Sequence, residues 1–252
     1  MTATPEHLEY LLRLGDNALI LGQRLSEWCG HAPVLEEDLA LANMALDLIG
    51  QARLLLSHAG RLEGRGRDED ALAFLRTEQH FRNLTLCELP NVDFARTVVR
   101  NFLFSAFQVA LWERLAASAD PELAAIAGKS LKEARYHVRH AGDWVIRLGD
   151  GSAESHARAQ AALDYLWPYT AELFAATPAD AAVAAAAIGP AWSELEAPWA
   201  AAVVPVLNEA TLAVPARTAF RSYGKFGRHS EHLGHLLGEM QYLQRTYPGA
   251  RW

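Results

Sequence analysis

The sequence predicts an all-α protein. Apolar residues recur at steps of three and four over long stretches, which is the period of an amphipathic helix. No stretch shows the alternation of apolar and polar residues that is typical of a half-buried strand. Of the 252 residues, 51% are hydrophobic and 21% are charged, which is enough for a sizeable core. Composition does not shift along the chain, so we predict a single helical domain over residues 1–252.

Two long helices are predicted first. Apolar residues form one stripe over residues 11–28, and Pro33 closes that segment. The pattern returns over residues 35–55 with apolar residues on more than one side, which predicts a central helix. Residues 64–70 then form a polar loop that leads into a short helix ending at about Leu75.

The middle of the chain predicts two more long helices, each with a start signal. Residues 89–91 break the chain, and Asp93 is the predicted N-cap of a helix that runs to about Ala119. Residues 120–122 (Asp-Pro-Glu) combine an N-cap, a proline at the first helical position and an acid in the first turn. The helix that follows ends at residues 149–151.

The C-terminal part of the pattern is less regular. A sixth helix is predicted over residues 153–174, where Pro168 can introduce a kink. Residues 175–190 are rich in alanine and proline and are either a loop or an irregular helix. The last two helices are predicted over residues 191–212 and 229–246.

Charge, termini and cysteines exclude several classes of protein. The net charge of −7 and the lack of a basic face argue against nucleic-acid binding. Residues 1–6 lack the pattern of a signal peptide, and we predict no membrane span. Cys29 and Cys87 form no CxxC pair and no disulfide framework, which predicts two reduced thiols in a cytoplasmic protein.

The most informative segment is residues 132–137, Lys-Glu-Ala-Arg-Tyr-His. Ferritin-like bundles hold two metal ions with a Glu-x-x-His on each of two helices and a Glu from each of the other two. Here Ala134 occupies the position three residues before His137, where a carboxylate is needed. Leu48 and Gln51 occupy the corresponding positions on the second helix. The pattern therefore predicts a ferritin-like scaffold in which several metal-ligating side chains are absent.

Matching the chain to the ferritin-like pattern gives six vestigial di-iron positions. They are Glu27, Leu48, Gln51, Ser105, Ala134 and His137. Only Glu27 and His137 keep a side chain that binds iron, and two ligands cannot hold a di-iron cluster. We interpret these two as a buried polar pair, or as partners of nearby backbone and arginine groups, with residual metal binding as the alternative. Glu133, four residues before His137, is a further ligand or pairs with Lys129.

Two other clusters are candidate sites. His229, His232 and His235 are three residues apart, but steps of three move around a helix, so a solvated or interface face is favoured over a zinc site. Lys225 and Arg228 precede the last helix and are weak candidates for binding the CoA phosphates of a substrate held by a partner. The alternative is a basic loop or an interface contact.

Several segments resemble the PaaC family of phenylacetyl-CoA epoxidase subunits, which is ferritin-like. These segments are residues 13–17, 23–33, 39–43, 132–137, 208–212 and 239–252. The resemblance implies a structural subunit with no di-iron site and no catalytic residue of its own. Iron is expected in the ferritin-like catalytic subunit PaaA, its partner in a complex with other subunits. Relatives keep a carboxylate at the position of Ser105, so this residue is a departure.

In the family, the complex converts phenylacetyl-CoA to its ring-1,2-epoxide with oxygen and electrons from a separate reductase. The resemblance also leaves room for a homodimer when the chain is alone. Two other functions stay open. A stand-alone metalloenzyme would use Glu27, Glu133, His137 and the His229 cluster and would contain iron when isolated. A self-associating helical scaffold would form homo-oligomers and ignore phenylacetyl-CoA.

Overall fold

The computed structural model describes residues 4–250 and confirms the all-α, ferritin-like fold class. Five residues lie outside the described range. They are residues 1–3, where no signal peptide is predicted, and residues 251–252, which end the last segment that resembles the PaaC family. Within the described range no strand forms, and Tyr223 and Arg228 make one isolated antiparallel bridge.

Twelve α-helices run through the described residues. They are α1 (Pro5–Ser26), α2 (Leu35–Glu63), α3 (Glu69–Phe74), α4 (Thr85–Glu88), α5 (Phe94–Leu115), α6 (Pro121–Gly149), α7 (Ala153–Leu166), α8 (Ala171–Phe174), α9 (Pro178–Ala185), α10 (Glu196–Glu209), α11 (Glu231–Met240) and α12 (Tyr242–Thr246). Four short 3-10 helices lie between them. They are Glu78–His80, Trp167–Thr170, Trp192–Leu195 and Gly224–Phe226.

The chain divides into two compact units. Unit 1 comprises residues 1–90 and 222–252, and unit 2 comprises residues 91–221. Unit 2 is continuous in sequence, whereas unit 1 is made of both ends of the chain. The single domain expected over residues 1–252 stays a prediction.

Unit 1 is built on the pair α1 and α2. Gly15 of α1 lies against Leu56, and Gly22 lies against Ala45 and Leu48, so the two helices run antiparallel. Small residues at these positions let the helix backbones approach closely. Gly64 ends α2 in the left-handed conformation, with φ of 67°, which suits glycine because it has no Cβ.

Unit 2 is built on the pair α5 and α6, and both predicted start signals are confirmed. The Asp93 carboxylate accepts a hydrogen bond from the Arg96 backbone N–H at 2.8 Å. The Asp120 carboxylate accepts from the N–H groups of Glu122 and Leu123 at 3.0 and 3.1 Å. These local caps satisfy helix N–H groups that have no partner within the helix. The predicted end of α5 was four residues too late, since the helix stops at Leu115.

The C-terminal predictions need two corrections, and one open alternative is decided. The helix expected over residues 153–174 is interrupted by a 3-10 turn around Pro168, because proline has no N–H to continue the α-helical pattern. The uncertain span after it contains α9, which starts with a reciprocal capping box between Thr177 and Asp180. The last helix starts at Glu231, two residues later than predicted, and is interrupted at Gln241.

Close packing at the end of α6 gives a prediction about stability. A methyl group on Gly149 would overlap the carbonyl oxygen of Ala210 and lie 2.8 Å from its Cβ. We expect Gly149→Ala to destabilise the protein by about 1–3 kcal/mol, because the backbone must move to relieve the overlap. Thermal unfolding followed by circular dichroism measures this loss.

The same helix supplies the control. Gly128 of α6 has nothing within 4 Å of an added methyl group, so Gly128→Ala should stabilise the helix by roughly 0.5–1 kcal/mol. Equal effects of Gly149→Ala and Gly128→Ala on the melting temperature would contradict the close-packing explanation.

One described helix, α2, has the length and apolar composition that a membrane span would need. Within its most apolar 18-residue window, 44% is buried inside the protein. The core helix of a soluble protein meets the same test, so this single helix does not indicate a membrane protein.

Candidate functional site

The six vestigial positions lie on or beside the four long helices. In unit 1, Glu27 directly follows α1, and Leu48 and Gln51 are one turn apart on α2. In unit 2, Ser105 lies on α5, and the remaining pair, Ala134 and His137, is one turn apart on α6. All of them except Glu27 are fully buried. The spacing of three therefore brings each pair onto one buried helix face, as the sequence predicts.

The Glu27 carboxylate is held by an arginine of the preceding helix, α1. Nη1 of Arg24 donates to both carboxylate oxygens, at 2.7 and 2.8 Å. The Glu27 side chain is 34% exposed, so the expected burial of this residue is wrong, whereas the side chain of Arg24 is 8% exposed. This charge-assisted pair favours the structural interpretation of Glu27, because the arginine neutralises the charge that would attract a metal ion.

In unit 2 the neighbouring polar residues also make protein contacts. The Ser105 hydroxyl lies 3.4 Å from the Asn101 side-chain oxygen. Glu133 pairs with Lys129 at 3.0 Å, which is one of the two roles expected for this residue. The ring of His137 packs edge-on against Tyr136, with centroids 6.2 Å apart. The aliphatic side chains at Leu48 and Ala134 offer no metal-ligating atom.

The expectation of a solvated or interface face is wrong for His229. This residue precedes α11, and its side chain is fully buried. Nδ1 lies 2.8 Å from Oε2 of Glu88, and Nε2 lies 3.1 Å from the Phe81 carbonyl oxygen. Of the other two imidazoles, which lie on α11, His232 is half-buried and His235 is exposed. The three therefore do not share one surface.

The two phosphate candidates differ in exposure. Lys225 lies in the 3-10 turn Gly224–Phe226 and is only 1% exposed, whereas Arg228 is exposed and stacks over Tyr223. Their role with CoA stays a prediction, and Arg228 is the residue of the two that a soluble phosphate can reach.

Glu88 is the centre of a buried network that sequence reasoning missed. Its Oε2 also accepts from the Asn83 side-chain amide at 2.8 Å, and its Oε1 accepts from the Ser230 backbone N–H at 2.6 Å. Arg24 donates to the Glu88 carbonyl oxygen at 2.9 and 2.7 Å. The network joins the first helix of unit 1 to the segment that returns to this unit at the end of the chain.

A second buried carboxylate lies on α1. Asp16 is fully buried and accepts from Nη1 of Arg76 at 3.0 Å, from Nη2 of the same arginine, and from the Arg82 backbone N–H at 2.8 Å. The Arg76 guanidinium also lies over the Phe81 ring, 4.3 Å from its centroid. The sequence gives no local signal for this pair, because Asp16 lies between positions of the apolar stripe and Arg76 is 60 residues away.

Each carboxylate oxygen of Glu88 and Asp16 has at least one hydrogen-bond partner within the protein. Such an arrangement cross-links segments of the fold and fixes the position of each. It differs from an acid–base or metal site, in which a carboxylate keeps an open acceptor position for substrate or ion.

Comparison with known proteins gives a relative and a family. The relative is a 1,2-phenylacetyl-CoA epoxidase subunit from Escherichia coli (strain K12), and the two chains are 54% identical over 243 residues. These residues cover 96% of this chain and 98% of the relative. The model of a family described as phenylacetic acid catabolic protein matches residues 1–252, so it covers all the helices described above. The chain therefore belongs to the phenylacetic acid catabolic protein family.

Proposed function

We propose that this chain is the non-catalytic structural subunit of a phenylacetyl-CoA 1,2-epoxidase and that it binds and stabilises the iron-bearing catalytic subunit PaaA in the cytoplasm. The relative that is 54% identical is named as one subunit of such an enzyme, which supports membership of a complex of several subunits. Leu48, Gln51 and Ala134 support a role without iron, since none supplies the carboxylate or imidazole that a di-iron site requires.

An exposed apolar face on α2 is the structural observation that carries the proposal. Leu35, Leu39 and Leu46 are 69%, 55% and 65% exposed. At 100° per residue, their spacing of four and seven places all three within about 40° around the helix. We call these three residues the α2 leucine face. Single exposed leucines are common, but three aligned on one helix support the proposal of an interaction surface.

The edges of the face indicate what kind of partner fits. Arg53, which is 76% exposed in its side chain, lies on the same line of α2 two turns beyond Leu46 and ends the apolar stretch. The apolar face therefore extends over roughly 16 Å, the length that one partner helix can cover. A partner helix with its own apolar stripe would bury these side chains, as helix packing does inside a bundle.

A mass-action argument explains how such a subunit helps catalysis without a reactive group. A protein that binds only the folded, active form of its partner stabilises that form by a free energy that grows with the logarithm of its concentration divided by its Kd. Under this proposal the role of the chain is to hold the catalytic subunit in its productive shape, while Glu27 and His137 remain structural.

Co-purification with iron analysis tests the proposal. The tagged chain is recovered from cells grown aerobically on phenylacetate, its partners are identified by mass spectrometry, and iron is measured per subunit. We expect a ferritin-like partner that carries all the iron, and an iron-free chain when it is produced alone. Stoichiometric iron in the isolated chain would support the stand-alone metalloenzyme instead. Stable homo-oligomers that recover no partner would support the self-associating scaffold.

A further inference from the structure

A cleft of about 370 Å³ lies within unit 2 and is independent of the α2 leucine face. Three segments form its walls: the 3-10 turn Trp167–Thr170 together with α8, the first part of α10, and residues 217–221 of the connection that follows. Its volume falls within the range of small-molecule sites, which are concave and carry a few polar groups on mainly apolar walls.

Aromatic rings line the inner part of this cleft. Trp199 of α10 is only 4% exposed, and its indole N–H donates to the Leu103 carbonyl oxygen at 2.9 Å. Trp167 and Phe174 pack against it, with ring centroids 5.5 and 5.2 Å away. The hydrogen bond fixes the indole, so the wall is preorganised for a flat apolar group. Aromatic rings stack on such walls at centroid distances of roughly 4.5–7 Å.

The outer edge of the cleft carries positive charge. Arg217 and Arg221 are both exposed there, and Arg217 pairs with Glu196 on the facing wall. Nη1 of Arg221 donates to the carbonyl oxygens of Thr218 and Phe220 at 2.9 and 2.7 Å, which holds the guanidinium at the edge. Two arginines against one carboxylate leave the edge positive in a chain whose net charge is −7. Arginine is well suited to bidentate binding of a carboxylate.

We propose that this cleft binds a small aryl carboxylate, with the ring against the half-buried Trp167, which Trp199 supports from the inner side, and the carboxylate on Arg221. The apolar walls contact the ring and the positive edge contacts the carboxylate, so a ligand needs both groups to bind tightly. The Thr218 hydroxyl, also in the lining, is a second hydrogen-bond donor for the carboxylate. This proposal does not depend on the proposed function, because it concerns a surface of unit 2 that binds ligand with or without a partner subunit.

Isothermal titration calorimetry on the full chain tests the proposal with three probes. Phenylacetate carries both the ring and the charge, benzyl alcohol carries the ring alone, and acetate carries the charge alone. We expect saturable binding of phenylacetate and at least tenfold weaker binding of the other two. Quenching of tryptophan fluorescence by phenylacetate gives an independent readout, since two indoles line the cleft. Absence of saturable phenylacetate binding, or equal binding of acetate, would overturn the proposal.

Three variants test where phenylacetate binds. Arg221→Gln should weaken phenylacetate binding about tenfold by removing the charge, and Ala200→Phe should abolish it by filling the cleft. Arg158→Gln is the matched control, because this exposed arginine of α7 pairs with Glu154 away from the cleft and should leave the affinity unchanged. Arg221 is exposed, so its replacement tests the proposal even if Ala200→Phe does not fold. Wild-type affinity in Arg221→Gln would refute the assigned carboxylate site.

Discussion

Replacing Asp16 by alanine is expected to destabilise unit 1 by about 3–5 kcal/mol. The carboxylate is fully buried, and its partner Arg76 is 4% exposed in its side chain. Removing the acid leaves a buried guanidinium without its counter-charge and the Arg82 backbone N–H without its acceptor. Such a loss is a large part of the stability of an ordinary domain. Chemical denaturation of the purified chain, followed by circular dichroism, measures it.

An exposed acid that pairs with arginine provides the matched control. Glu154 pairs with Arg158 on the surface of α7, where the two side chains are 73% and 59% exposed. Water and salt screen this pair, so Glu154→Ala should cost less than about 1 kcal/mol. If Asp16→Ala and Glu154→Ala lowered the denaturation midpoint equally, burial of the Asp16 pair would not be the source of its stabilisation.

The second large effect is expected on assembly. Under the proposed function, the double variant Leu39→Glu with Leu46→Glu should weaken binding to the proposed catalytic partner by at least about 100-fold. It removes two apolar side chains from the α2 leucine face and would bury two unpaired carboxylates at the interface. Surface plasmon resonance with the purified partner subunit measures the change in affinity.

Leu75 offers a control of the same chemistry. It directly follows α3 and is 60% exposed, so Leu75→Glu replaces one exposed leucine by one carboxylate outside the α2 leucine face. We expect this variant to bind the partner with wild-type affinity. Equal affinities for the Leu39→Glu/Leu46→Glu and Leu75→Glu variants would show that the interface does not include the α2 leucine face. The co-purification experiment would still decide whether a partner exists.

Local sequence signals predicted the helices well because the interactions that start a helix are local. Asp93 and Asp120 cap N–H groups two or three residues away, so a short motif contains all the information. The interruption at Pro168 is equally local, since the residue itself lacks the hydrogen-bond donor. Helix ends were less accurate, as at Leu115, because the position where a helix stops depends on packing that a motif does not record.

The network around Glu88 shows where sequence reasoning stops. His229 and Glu88 are 141 residues apart, so nothing near His229 in the sequence indicates that its ring turns inward. The same holds for Lys225, whose burial contrasts with its place in a basic, glycine-containing stretch. The cleft around Trp199 was also missed, because its walls come from three separate segments of unit 2.

The absence of metal-ligating side chains was easier to predict from the sequence than the position of an exposed surface. The loss of metal ligands at Leu48 and Ala134 follows from residue type alone, because an aliphatic side chain has no donor atom. The family, too, followed from segments spread over the chain, and the match over residues 1–252 confirms it. By contrast, the α2 leucine face became visible only with solvent exposure, since the sequence predicted a central helix that is apolar on several sides.

The discontinuity of unit 1 has a consequence for how the protein is made. Synthesis runs from the N-terminus, yet the donors for the Glu88 carboxylate on His229 and Ser230 emerge after all of unit 2 has been translated. Unit 2 is continuous and can fold first, although domains usually fold in the order of their first residues. A ribosome that stops near residue 221 therefore releases a chain in which Glu88 still lacks these donors. The buried network of unit 1 is therefore complete only after the last segment of the chain has been translated.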